Sequence, residues 1–274
     1  MQIGVSAGAV ALGLFNYSSE TLNSIAIAIS LLIGLAIALR WLEVNVASDL
    51  VEIIALLLAL MIASPLCTIV LASANFPLAD PLLKRLDDVI FLGVDRDLVE
   101  ALLRSDRSVL SILRFAYDSI NFQPFLLVLT LCLGRFRDRA WCFITAWAIA
   151  LTITALVSPL FPAYGTSRSL INAVETHMRV RSGDLHVLGA DALRGIVYFP
   201  SFHAEAAVLL GWFFAPVRII GRPMILMNIL MLFSAVICGN HYLVDLLAGS
   251  AVAALSIYLS ERMLRPELIG QAGT

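Results

Sequence analysis

Seven stretches of this chain run for 17 residues or more with almost no charge, near residues 22–40, 49–74, 117–134, 139–161, 202–219, 222–238 and 242–261. A helix needs ~20 consecutive apolar residues to cross the ~30 Å hydrocarbon core of a bilayer, so these stretches read as membrane spans. Residues 3–16 are apolar but short for a crossing, which sets the expected count at seven or eight. Composition agrees, with 60% hydrophobic residues, 14% charged residues and a mean hydropathy of +0.93. A soluble domain is about half apolar and about a quarter charged. This chain carries more apolar surface than one aqueous core can bury, and lipid must cover the surplus. The expected fold is an all-α, polytopic transmembrane helix bundle.

Two connections are too long and too polar to be tight turns. Residues 75–116 mix charge with apolar residues at helical spacing (Leu82, Leu83, Leu86, Val89, Ile90, then Leu98, Leu102, Leu103). That pattern predicts short helices lying at the membrane interface. Residues 162–200 are punctuated by Pro162, Gly165, Gly183, Gly189, Gly195 and Pro200, the mark of a loop. The chain divides into N-terminal membrane helices, residues 1–74, and a membrane domain carrying the chemistry, residues 75–274, within one integral unit. The first Lys or Arg is Arg40, so a cleavable leader with a basic start is not expected. Cys67, Cys132, Cys142 and Cys238 have no Cys-x-x-Cys spacing and sit in or beside apolar runs, as small core residues do. A net charge of −2 gives no reason to expect nucleic acid as a partner.

Arginines orient the bundle. Arg135, Arg137 and Arg139 crowd one turn, Arg218 and Arg222 flank another, and Arg262 and Arg265 follow the last span. With the spans above, all three groups fall on one side, which the positive-inside rule makes cytoplasmic. The C-terminus is then cytoplasmic, and the loop 162–200 and the Gly239-Asn240-His241 turn face outward. The expected setting is a bacterial inner (plasma) membrane, with this face toward the periplasm or the outside. Arg168, Arg179, Arg181 and Arg194 run against the rule on that outer face, and anion binding is one reason for them to be there.

Two outer segments carry candidate chemistry. In Phe199-Pro200-Ser201-Phe202-His203 a loop enters a span, and Ser201 is placed to cap the helix. In Gly239-Asn240-His241-Tyr242-Leu243-Val244-Asp245 another span opens, with Asn240 as the expected cap and His241 and Asp245 four apart on one helix face. Both helices present their N-termini at the same level, and such ends bind anions. Asp245, an acid one turn into an apolar helix, is costly there and hence a functional candidate. Asp245 can hold one ring nitrogen of His241, leaving the other as a nucleophile. His203 can protonate a departing alkoxide, while arginines or backbone N–H groups stabilise the phosphoryl oxygens. The bilayer is the medium, a lipid phosphate the expected substrate and an alcohol a possible acceptor; no cofactor or metal is called for. His177 and His186 read as surface histidines of the outer loop, and Glu205 as a partly buried acid.

At these residues the chain resembles the type-2 phosphatidate phosphatase superfamily, over roughly residues 75–262, and within it the branch of inositol phosphorylceramide and sphingomyelin synthases. The family's Pro-Ser-Gly-His motif is similar to Pro200-Ser201-Phe202-His203, with Phe202 in the Gly place. Its Ser-Arg-x5-His-x3-Asp motif is similar to Ser234-Ala235-x5-His241-x3-Asp245. Phe76-Pro77-Leu78-Ala79-Asp80 is similar to a Pro-Leu-Pro-Asp segment of the synthase branch. The resemblance implies His241 as nucleophile, Asp245 as its partner and His203 as acid. Two features depart from the pattern. The motif arginine is Ala235, and Lys-x6-Arg-Pro is absent, since Lys84 is the only lysine. Phosphate binding is therefore expected from Ser201, Asn240 and the outer arginines, Arg168 first and Arg194 second.

Three functions compete. The first is a lipid phosphatase or phosphotransferase, tilted toward headgroup transfer by the missing phosphatase cations. The second is a metal-dependent membrane hydrolase with His203, Glu205, His241 and Asp245 as ligands. The third is a transporter or scaffold that kept the helices.

Overall fold

The computed structural model of the chain describes residues 16–17, 19–90, 101, 103–166, 171–184, 187–188 and 197–264. Of the expected short segment 3–16, all but Asn16 lies outside them. Among the described residues the α-helices are α1 (Ser19–Trp41), α2 (Asn45–Ala72), α3 (Asp80–Ile90), α4 (Arg107–Asp118), α5 (Gln123–Leu133), α6 (Arg137–Val157), α7 (Ile171–Ser182), α8 (Phe202–Phe214), α9 (Gly221–Ile237) and α10 (Leu243–Leu264). The strand pairing among the described residues is a parallel match of Asn16–Tyr17 with Val187–Leu188. The other regular elements among the described residues are helices, as the apolar runs require.

Among the described residues four helices are long and apolar enough to cross a membrane: Asn23–Trp41 within α1, then α2, Arg137–Leu160 and α10. A fifth crossing arises if the bent pair Arg107–Asn121 and Gln123–Leu133 is one span. The chain is an integral membrane protein. Helices α8 and α9 are apolar but shorter, at 13 and 17 residues. The stretch 117–134, expected as one span, is broken. The axis bends by 56° between α4 and α5, and a 3-10 turn at Ser119–Asn121 joins them. Pro124 sits in the first turn of α5, where its missing N–H costs nothing but where it cannot continue a preceding helix.

Helices α3 and α4 are amphipathic. Leu83 and Asp87 of α3, and Leu113 and Ala116 of α4, are buried. Leu82, Leu86, Val89, Ile112 and Phe115 stay exposed, as in a helix lying along lipid. The core joins Phe143 and Trp147 of α6, Leu127 and Leu131 of α5, Leu209, Leu210, Phe213 and Phe214 of α8, Ile53 and Leu57 of α2 and Met231 of α9. Trp147, Phe143 and Phe213 form a run of tilted and edge-on rings within that core. Ile27, Leu31, Ile33 and Ile37 of α1 face outward, toward lipid.

Polar contacts define two ends. At one, Asp49 is buried and paired with Arg40 (2.9 Å) and Arg137, and Arg40 also reaches Glu52 (2.7 Å). Arg139 donates to the Trp212 carbonyl at 2.6 Å, and Trp212 Nε1 donates to Glu261 at 3.1 Å. The turn after α1, the turn before α6 and the ends of α8 and α10 therefore meet there. At the other end the starts of α8 and α10 are joined by a bond from Ser201 N to the Asp245 carbonyl at 3.0 Å. Gly249, one turn deeper, leaves no room for a side chain, because a Cβ there would press into the Ser201 carbonyl.

Gly249→Ala should lower stability by about 1–3 kcal/mol, the usual cost of overpacking. Gly34→Ala should not, since a Cβ at Gly34 meets nothing within 4 Å. Thermal unfolding of both variants in detergent checks the pair; equal Tm values for Gly249→Ala and the parent chain would contradict the packing described.

Candidate active site

The turn Cys238-Gly239-Asn240 carries His241 out of α9. Asn240 takes a positive φ of 53°, within the range an asparagine tolerates. Its carbonyl accepts from Thr166 N at 2.9 Å and Thr166 Oγ1 at 3.2 Å. Its side-chain oxygen accepts from Arg104 at 2.9 Å, and the same guanidinium nitrogen donates to the Ile237 carbonyl at 2.5 Å. A cation there also suits the negative end of the α9 dipole. Gly165 packs beneath this turn with φ of 76°, and a Cβ on it would lie 2.5 Å from the Asn240 carbonyl. Only glycine fits both demands.

His241 precedes the helix, since α10 begins at Leu243, so it does not share a helix face with Asp245 as expected. The two still meet: Asp245 Oδ2 lies 3.4 Å from His241 Nδ1 and accepts from Tyr242 N at 2.9 Å. The carboxylate folds back over its own helix start, and that fold reaches the imidazole. With the proton on Nδ1, His241 Nε2 carries a lone pair. Both residues are buried.

His203 enters from α8. Ser201 is the N-cap, its Oγ accepting from Ala204 N at 3.4 Å. The His203 and His241 ring centroids are 6.4 Å apart, inclined at 52°. Tyr117 of α4 stacks on His203 with centroids 3.8 Å apart and planes 13° from parallel. Tyr198 lies 5.8 Å from the His241 ring. Burial, with Asp80 nearby, pushes its phenol up to about 12, so it keeps its proton and can donate a hydrogen bond. Asp80 itself accepts from Tyr164 N and Gly165 N, at 3.0–3.1 Å, and from the Tyr242 hydroxyl at 3.4 Å. The Phe76–Asp80 segment is thereby tied to both turns.

Several expectations change. Asn240 is not the cap of the last helix. Asp87 of α3 is, accepting from Leu243 N at 2.5 Å and Val244 N at 3.4 Å. An acid from a neighbouring element satisfies these orphan donors and the positive helix end, so the α10 terminus is not an open anion site. His177 is not a surface residue. It is buried, edge-on to Tyr164 at 5.2 Å, and burial with Arg181 nearby lowers its pKa to about 4. Glu205 is fully rather than partly buried, and its carboxylate turns to Thr154 of α6. Among the described residues no three His, Cys, Asp or Glu side chains come together to hold a metal ion. The four-ligand reading therefore lacks its geometry. Arg168, Arg194 and His186 lie outside the described residues.

Sequence reasoning missed Asp87, Arg104, Tyr117 and Tyr198. Asp87 left a signal: it sits four residues beyond Leu83 on the buried face of an amphipathic helix, where a charge is out of place. Arg104 left none, since only the fold brings it to Asn240. Around the two imidazoles, Asp245 Oδ1 and Asn240 Nδ2 are buried with no partner among the described residues. An acceptor and a donor left open on His241's own partner and its neighbour in the chain mark a place for a polar ligand.

No curated protein and no solved structure matches the chain. The family model described as PAP2 superfamily matches residues 81–259, well over half of the chain, and the match takes in His203, His241 and Asp245. The chain belongs to the PAP2 superfamily.

Proposed function

We propose that the chain is a membrane-embedded lipid phosphatase or phosphotransferase that works through a phosphohistidine. The observation that carries this reading is the pairing of a carboxylate-held imidazole, His241 on Asp245, with a second imidazole 6.4 Å away, at the end of an apolar bundle. His241 Nε2 attacks phosphorus as the P–O bond to the lipid breaks, and His203 gives its proton to the departing alkoxide. Water or an alcohol then attacks the phosphohistidine. The P–N bond breaks, and His203, now neutral, takes the incoming oxygen's proton. Water makes a phosphatase and an alcohol a headgroup transferase. Transfer is the preferred version, because Ala235 stands where the phosphatases of this family carry arginine and no Lys-x6-Arg-Pro is present. Arg104, bonded to Asn240, adds positive charge beside the site. The open Asn240 amide donor supports a role in holding phosphoryl oxygens. Ser201 is committed to capping α8 and contributes by placing His203. Arg168 and Arg194 remain candidates for the same anion. The site is assigned to the extracytoplasmic face because the Asp49, Arg137 and Arg139 contacts lie at the opposite end of the bundle. The catalytic unit is taken as residues 75–274.

His241→Ala and Asp245→Asn should each reduce turnover of a lipid phosphate by about 10³-fold or more, as when a nucleophile or the group orienting a catalytic His is removed. Free phosphate and new phospholipid are measured separately to tell the two acceptors apart. Unchanged turnover in both variants, with normal insertion, would support the scaffold reading instead. Activity should persist in EDTA and fall with vanadate; the reverse pattern would return the metal reading. In a chain with native cysteines replaced, a cysteine at Gly183 should react with an impermeant thiol reagent added outside and one at Arg137 should not. The opposite labelling would invert the orientation.

A further inference from the structure

The two imidazoles are held by different means. Asp245 holds His241 by hydrogen bonding. Among the described residues the His203 ring makes no hydrogen bond; what it has is the Tyr117 face, 3.8 Å away and 13° from parallel. Tyr117 comes from the end of α4, packed among Ala204, Ala235 and Leu246. It also lies against the turn that carries His241. A Cβ built on Gly239 would stand 2.9 Å from Tyr117 Cε2 and 2.8 Å from His241 Cδ2. One phenol ring therefore touches His203 on its face and the His241 turn at its edge.

We propose that Tyr117 is the positioning residue of the general acid, the aromatic platform that keeps the His203 imidazole turned toward His241. Stacking restricts rotation of the imidazole about its last torsion, which no hydrogen bond among the described residues restrains. The electron-rich face also attracts the ring when it carries its second proton, the form that must donate to the leaving oxygen. In the first step the P–N bond to His241 forms, the P–O bond breaks and the His203 proton moves to the alkoxide. Tyr117 exchanges no proton. The consequence for turnover rests on the phosphoryl-transfer reading above, while the contact itself does not.

The test uses the full chain in nanodiscs with isotope-labelled histidine. Ring current from Tyr117 should move the His203 ring protons upfield in the parent chain and in Tyr117→Phe, and this displacement should vanish in Tyr117→Leu. In turnover, Tyr117→Phe should keep kcat within about twofold. Tyr117→Leu should lose roughly tenfold or more on an alkyl phosphate lipid, part of the ~10²–10⁴-fold a placed acid supplies, with much smaller loss on an activated aryl phosphate and little change in KM. A His203 signal indifferent to Tyr117→Leu overturns the proposal. So do equal losses on both substrates, or failure of Tyr117→Phe to rescue. A displaced His203 signal in a chain that turns over no phosphate ester upholds the stack and overturns the phosphoryl-transfer reading instead.

Discussion

The close approach of α8 and α10 at Ser201 and Gly249 sets the geometry of everything above it. Ser201 N bonds the Asp245 carbonyl at 3.0 Å, and the missing side chain at Gly249 lets the two helix starts come within backbone contact. That contact puts His203 and Asp245, from segments some forty residues apart in sequence, at one level. Small residues do the same work between helices throughout membrane bundles, where lipid offers no hydrophobic drive to press helices together. Here the benefit is positional. A displacement of about 1 Å at such a junction would move an imidazole out of reach of its partner.

Charge follows the ends of the helices. Asp87 occupies the positive end of α10 and Arg104 the negative end of α9, so each dipole is answered by a side chain from a different element. At the far end Asp49 is enclosed by Arg40 and Arg137, and Arg139 meets the last carbonyls of α8. Among the described helices few charges stand between these two layers. One exception is Glu205, fully buried against Thr154. The polar groups of the candidate site thus stand where the bundle ends, and the apolar core of Phe143, Trp147 and Phe213 lies beneath them.

Much of this arrangement was legible in the residues. Uninterrupted apolar runs have one physical outcome in lipid, so α1, α2, α6 and α10 lie where hydropathy puts them. Ser201 was legible as a cap because a short hydroxyl before an apolar run has few better uses. Asp245 stood out because an acid one turn into an apolar helix is costly unless used, and His203 and His241 because each stands where a loop enters an apolar helix. Failures came where a tertiary partner replaced a local one. Asn240 looked like a cap until Asp87 took the N–H groups of Leu243 and Val244. The span 117–134 looked continuous, yet a 3-10 turn at Ser119–Asn121 and Pro124 stand at a 56° break in it. His177 looked exposed because loop histidines usually are, yet Tyr164 covers it.

The sequence by itself determined that the chain is a bundle of apolar membrane helices with two histidines and an acid at the starts of two of them. Periodicity and polarity are properties of neighbouring residues, and a bilayer reads them directly. Only the tertiary structure decided what surrounds those three groups: the Tyr117 face on His203, Arg104 on Asn240, Asp87 on the start of α10 and Asp80 on the Tyr164–Gly165 turn. Each of these contacts joins elements distant in the chain. Which side chain meets which depends on helix rotation and close packing, and no local pattern of residues encodes either.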